Sequence, residues 1–100
     1  MNYKIVIDAG HGGVDPGAIN GDLQEKDFTL AASLYMRDRF EELGIPVKLT
    51  RSTDETLSKD ERVRRVLNAF GNSSDVIVLS NHINAGGGDF TYHYKYLIGY

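Results

Sequence analysis

The 100-residue sequence predicts an α/β fold, a largely parallel or mixed sheet with flanking helices. Two observations carry that expectation. Short β-branched runs alternate with longer stretches of helical periodicity, in the order strand, helix, strand, helix, strand. The last of these strands is uniformly apolar, as in a sheet covered on both faces.

The elements follow in order. Tyr3-Lys4-Ile5-Val6-Ile7-Asp8 reads as a buried strand closed by glycine. Residues 10–21 hold five glycines and a proline and read as loop. Asp27 is a candidate cap for a helix whose Phe28, Ala31, Ala32, Tyr35, Met36, Phe40 and Leu43 form one stripe, with Gly44 as its stop. Ile45 to Thr50 reads as a second strand, with Pro46 near its start, where a missing N–H is tolerated. Ser58-Lys59-Asp60-Glu61 has the form of a capping box, and Val63, Val66, Leu67 and Phe70 follow at helical spacing up to Gly71. Asp75-Val76-Ile77-Val78-Leu79-Ser80 is the third strand. At the end, Phe90, Tyr92, Tyr94 and Tyr96 alternate with Thr91, His93 and Lys95, a period-two pattern that predicts an edge strand with one aromatic face. Residues 1–100 are read as one domain, with 89–100 as an atypical tail.

Composition narrows the function. The net charge of −3 gives no support to nucleic-acid binding. No apolar run approaches the roughly 20 residues that span a bilayer. No signal peptide opens the sequence, so action outside a membrane is expected to depend on another factor, on lysis or on processing. With no cysteine, disulfides and thiolate metal sites are excluded, leaving His, Asp and Glu as ligands.

Three residues of that kind stand at element ends. His11 follows the first strand inside Ile7–Ala18, "IDAGHGGVDPGA". Glu25 sits just before the first helix. His82 follows the third strand in Ser80–Ala85, "SNHINA". Ligands of open parallel sheets bind beyond the carboxyl ends of the strands, and a crossover helix returning antiparallel brings Glu25 to the same rim. Two imidazoles and one carboxylate with an open fourth position are the ligand set of a catalytic zinc. Each residue also has a plainer reading: His11 as a turn residue, Glu25 as a helix-dipole carboxylate. A phosphate loop is the competing reading of "GHGG". It is disfavoured because more than ten residues separate Gly13 from the helix and no lysine follows the glycines.

Together, "IDAGHGGVDPGA", "LQEKDFTL" before the first helix, "TRSTD" after the second strand and "SNHINA" after the third resemble the zinc-dependent N-acetylmuramoyl-L-alanine amidases. This is the family of bacterial autolysins, spore-cortex amidases and phage endolysins. The resemblance runs from residue 3 to about residue 88. It implies that His11, Glu25 and His82 bind Zn2+ and that the substrate is peptidoglycan in the bacterial cell wall. The bond cleaved would be the amide between N-acetylmuramic acid and L-alanine. It also implies that Asn84 orders the site loop or substrate. Asp8 would accept a hydrogen bond from a ligating imidazole, or cap the glycine loop as a strand-end carboxylate. The family's general acid/base glutamate has no counterpart here, since no Glu follows Glu61. The sequence therefore looks like the first half of such a domain joined to an unrelated tail. A catalytically silent zinc- or wall-binding module that self-associates through a bare sheet edge is the alternative expectation.

Overall fold

The first strand is buried on both faces. In a computed structural model, which describes the backbone of residues 2–86 and 89–98 and the side chains of residues 2–83, strand β1 (Lys4–Ala9) has Val6, Ile7 and Ala9 wholly inaccessible to solvent. A strand can bury both faces in this way only if others flank it and helices cover it. A short antiparallel pair, β2 (Ile19–Asn20) and β3 (Leu23–Gln24), lies apart from the main sheet. It falls inside and just after the segment expected to be loop. Then come helix α1 (Glu25–Glu42), β4 (Val47–Leu49), helix α2 (Lys59–Phe70), β5 (Val76–Gly86) and β6 (Asp89–Ile98).

The main sheet has the order β4-β1-β5-β6. β4 and β5 run parallel to β1, with registers Ile5↔Val47 and Lys4↔Val76 at their starts. β6 runs antiparallel to β5, from Gly86↔Asp89 to Ile77↔Ile98. The expected α/β class with a mixed sheet is therefore what the chain adopts. One face of the sheet carries Val6, Val76 and Val78, which pack with Val66, Ala69 and Phe70 of α2. The serine half of the capping box forms: the Ser58 hydroxyl accepts the Glu61 N–H at 3.0 Å, while the Glu61 carboxylate pairs with Arg64 at 2.7 Å. Gly44 and Gly71 end the two helices in positive-φ backbone, at 74° and 80°.

Three expectations need correction. α1 starts at Glu25, not after Asp27, and Gln24 at its cap makes no side-chain cap bond. Its buried line is also rotated from the predicted apolar stripe. Glu25, Thr29 and Ser33 are buried and Met36 and Phe40 half-buried, while Phe28, Ala31, Tyr35 and Leu43 are exposed. The cause is the polar rim that the helix faces. The Thr29 hydroxyl donates to the Gly10 carbonyl at 2.7 Å, and the Asn81 amide donates to Ser33 Oγ at 2.9 Å. Strand-end groups taken from water must be hydrogen-bonded, so that need outweighs the burial of apolar side chains further round the helix. Finally, β5 continues to Gly86, so His82 lies within a strand and not beyond its end. It still sits at the rim, because the pairing of β1 with β5 ends at Ala9↔Asn81, one residue earlier. The side-chain placements expected for Asn84 and for Phe90 to Lys95 lie outside the described residues.

β6 covers the outer edge of β5 over its length, and uncovered edges recruit other strands. Deleting residues 89–100 should therefore leave a protein that associates or precipitates, read by size-exclusion chromatography and thermal melting. A deletion variant that stays monomeric with an unchanged Tm would contradict this.

Candidate metal centre

Beyond Ala9 the chain has left the sheet, and its backbone is held by side chains. Arg51, 2% exposed, donates from Nε to the Ala9 carbonyl at 3.1 Å. Its Nη2 reaches the carbonyls of Gly10 and Lys26, both at 3.1 Å, and its Nη1 the carbonyl of Thr53 at 2.9 Å. Burial, and then the neighbouring Arg62 charge, pull the Arg51 guanidinium below its ordinary value. Arg62 donates to the Ala9 carbonyl at 2.7 Å, the His11 carbonyl at 3.0 Å and the Asp8 carboxylate. Further out, Asp54 accepts the Gly13 N–H at 2.7 Å, and Lys26 Nζ bridges the Gly13 carbonyl and Asp54.

His11 is the one described non-glycine residue with positive φ, 64°. Left-handed backbone costs a side-chain-bearing residue roughly 1–2 kcal/mol, and such residues gather at functional sites. The conformation is held from both ends: Arg62 binds the His11 carbonyl, and Asp15 Oδ2 lies 2.8 Å from His11 Nδ1. Asp15 in turn accepts the Gly17 N–H at 3.1 Å. The hydrogen bond with His11 is the main cause that holds its carboxyl below the usual range.

Glu25, the first residue of α1, is 4% exposed. Its Oε1 accepts the Ala18 N–H and its Oε2 the Ile83 N–H, both at 2.9 Å. Burial works to raise this carboxyl, but the two backbone donors and the imidazoles of His11 and His82 together outweigh it and hold it below its ordinary value. His11 Nε2 lies 3.1 Å and His82 Nδ1 3.4 Å from the same Oε2. The two imidazole rings meet edge to face with centroids 5.3 Å apart. Burial, and next the nearby His11, lower the pKa of His82. The structure thus brings His11, Glu25 and His82 together, with one potential ligand atom from each within 4.8 Å of the others. These atoms could hold a metal ion.

Asp8 does not touch either imidazole. Its Oδ1 accepts from Thr50 at 2.8 Å and from Arg62, and its Oδ2 accepts from Ser80 Oγ at 2.8 Å. Ser80 Oγ lies 3.0 Å from His82 Nε2, so Asp8 reaches that ring through Ser80.

The sequence that carries these residues matches a known family. A profile of the N-acetylmuramoyl-L-alanine amidases matches residues 5–94. The chain belongs to that family. It is 42% identical over 87 residues to the sporulation-specific N-acetylmuramoyl-L-alanine amidase of Bacillus subtilis (strain 168), an alignment covering 85% of this chain and 32% of that protein. It is 38% identical over 101 residues to the endolysin of Bacillus phage SPP1, covering 94% of this chain and 35% of the endolysin. Among solved structures it resembles the catalytic domain of CwlV, an N-acetylmuramoyl-L-alanine amidase from Bacillus (Paenibacillus) polymyxa var. colistinus. That likeness has a TM-score of 0.73 at 35% identity, over 85% of this chain and 47% of that domain. The chain thus spans about a third of the length of these curated relatives.

Sequence reasoning missed Asp15, Ser80, Arg51, Arg62 and Thr29 as parts of this site. Asp15 was open to discovery: an Asp before Pro-Gly, four residues past the histidine, is a turn former whose carboxylate points back along the chain. For the two arginines nothing in their spacing pointed to buried carbonyls.

Two glycines, one at the far end of α1 and one in the site, separate two effects. At Gly44, φ is 74° and an added Cβ would meet nothing within 4 Å, so Gly44→Ala should cost only the backbone strain, about 1–2 kcal/mol. At Gly17, φ is 69° and the Cβ would lie 2.7 Å from both Glu25 Oε1 and His11 Cδ2. Gly17→Ala should cost more than Gly44→Ala in denaturant unfolding, and should also lower divalent-metal affinity. Equal costs and equal affinities would show that Gly17 serves the turn only.

Proposed function

We propose that this chain carries the metal centre of a zinc-dependent N-acetylmuramoyl-L-alanine amidase. In this reading it is a peptidoglycan hydrolase acting on the amide between N-acetylmuramic acid and L-alanine in the bacterial cell wall. The observation that carries the proposal is the convergence of His11, Glu25 and His82, with one potential ligand atom from each within 4.8 Å of the others. Membership of the amidase family supports the substrate class. The donor set suits zinc, which takes nitrogen and carboxylate oxygen ligands in tetrahedral sites and leaves a fourth position for water when it is catalytic. The electrostatics agree. Metal binding needs a neutral imidazole and an ionised carboxylate, and the environment lowers the pKa of both His82 and Glu25.

Zinc held there would bring its bound water to a pKa of about 7 and polarise a carbonyl. The residues of the chain supply the rest. Glu25 is fixed at both oxygens by backbone N–H groups, so its position does not depend on the ion. His11 and His82 are each tied through the ring nitrogen that faces away from Glu25. Gly10 gives no room for a side chain: a Cβ there would lie 2.6 Å from His82 Cε1. His11 and His82 keep 26% and 35% of their side-chain surface in solvent, which leaves an approach for an extended wall fragment. Asp8 and Asp15 are both committed to hydrogen bonds, so neither stands free as a proton carrier among the described residues. The family resemblance implies a glutamate in that role, and within these 100 residues none follows Glu61.

Two measurements follow. The purified chain should bind about one zinc, by elemental analysis, and lose it in the double substitution His11→Ala, His82→Ala. Glu25→Gln should weaken zinc binding far beyond the roughly 0.3–1 kcal/mol of a helix-dipole carboxylate. Full zinc in the double variant removes the site. On purified peptidoglycan, the isolated 100 residues should release amines about 10²–10⁴-fold more slowly than a relative that has a general acid/base. Zinc binding with no release at all would favour the silent wall-binding module.

A further inference from the structure

The ring contacts of the two histidines run in opposite senses. At His11, Nδ1 meets Asp15 at 2.8 Å while Nε2 faces Glu25 at 3.1 Å. At His82, Nε2 meets Ser80 at 3.0 Å while Nδ1 faces Glu25 at 3.4 Å. Hydrogen-bond accounting limits where the protons can sit. An ionised carboxylate accepts and cannot donate. Asp8 is ion-paired with Arg62 and takes its other bond from Ser80. The single hydroxyl proton of Ser80 is therefore spent on Asp8, and Ser80 Oγ can only accept from His82. Asp15 likewise can only accept from His11, and each imidazole's shorter contact is the one away from Glu25.

We infer that Asp15 and Ser80, the latter set by Asp8, are positioning residues that fix the two imidazoles as opposite tautomers. His11 is held as Nδ1–H and His82 as Nε2–H, so that the lone pairs of His11 Nε2 and His82 Nδ1 converge beside Glu25. The inference deepens the metal-centre proposal and rests on it for its purpose, though not for its geometry. A neutral histidine binds metal through whichever nitrogen lacks the proton, and the partner on the other nitrogen selects it. For His11 this selection matters most. Nδ1–H is the tautomer an unassisted histidine side chain disfavours, and Glu25 on the far side competes for the same proton. Without Asp15, the ring would place a proton where the ion belongs.

The test is ring-nitrogen NMR on the full chain carrying 15N-labelled histidine, metal-free at about pH 8.5, roughly two units above the ordinary imidazole pKa. Zinc titration against a chelator accompanies it. The wild-type spectrum should show His11 protonated at Nδ1 and His82 at Nε2. Asp15→Ala should move the His11 proton to Nε2 and weaken zinc about 10–100-fold. Asp15→Asn keeps an oxygen acceptor and should retain Nδ1–H. Ser80→Ala should weaken zinc in the same range, and Ser80→Thr, which keeps the hydroxyl, should restore it. A wild-type His11 protonated at Nε2 overturns the assignment, as does an Asp15→Ala protein with unchanged tautomer and zinc affinity. If Asp15→Ala fails to fold, the wild-type and Asp15→Asn spectra decide. If the wild-type chain binds no zinc, the metal-centre reading falls, while the proton positions still decide this one.

Discussion

The carbonyls of Ala9, Gly10 and His11 have to be hydrogen-bonded after β1 runs out of sheet, and the rest of the site is arranged around that need. β4 pairs with β1 only as far as Leu49, and the Thr50 N–H makes the last contact on that side, to the Ile7 carbonyl at 3.0 Å. Past that point the main chain offers these carbonyls no ladder partner from β4. A buried carbonyl without a donor costs about 1–3 kcal/mol. Arg51 and Arg62 meet this need with a fan of donors that no neutral side chain has. Arg51 makes no ion pair among the described residues. Its charge is buried because the five groups around it, four carbonyls and the Thr29 hydroxyl, are all acceptors.

The same contacts set the position of every element at the rim. Arg51 reaches β1, the loop after β4 and the first turn of α1, and Arg62 brings α2 to Asp8 and to the His11 carbonyl. Glu25 completes the closure by accepting backbone N–H groups from Ala18 in the glycine loop and Ile83 in β5. The loop is rich in glycine but not loose. Its turn is closed by reciprocal bonds between Gly12 and Asp15 at 2.8 and 3.0 Å, and Asp54, Thr56 and Lys26 fasten its tip. Glycine is needed where neighbours come this close: a Cβ on Gly13 would lie 2.1 Å from Thr56 Oγ1. The glycines around His11 thus have a steric reason. Only residues without a side chain let the anchoring segments approach, and the imidazole kept among them faces Glu25.

What was legible in the sequence was the part governed by periodicity and by element ends. The alternation of strand and helix, the box at Ser58 and the stops at Gly44 and Gly71 are local signals. Local structure follows from them. His11, Glu25 and His82 could be placed on one rim because topology alone puts strand ends and the first helix start together. The orientation of α1 was not legible. A stripe count assumes that a helix buries its most apolar side, and here Thr29 and Ser33 turn inward because Gly10 and Asn81 need partners. Those partners lie 19 and 48 residues away in sequence. Nor could spacing show that Arg51 and Arg62 point inward, since charged residues are almost always exposed unless something buried calls for them.

Placing the polar line of α1 against the rim has a consequence for how the fold is stabilised. Among the described residues one apolar cluster, four buried valines with Ala69 and Phe70 against them, lies on the α2 side. On the other face Ile5, Ile7 and Ala9 of β1 are buried as well, and at the rim the hydrogen bonds of Thr29 and Ser33 join that packing. Such a network is favourable only when complete, because each member left without its partner keeps its full desolvation penalty. Among the described residues no buried side-chain nitrogen or oxygen lacks a partner. The residues that orient the candidate ligands and those that hold β1, α1 and α2 together are therefore largely one set, and an ion bound at Glu25 would add to the same network that keeps the chain folded.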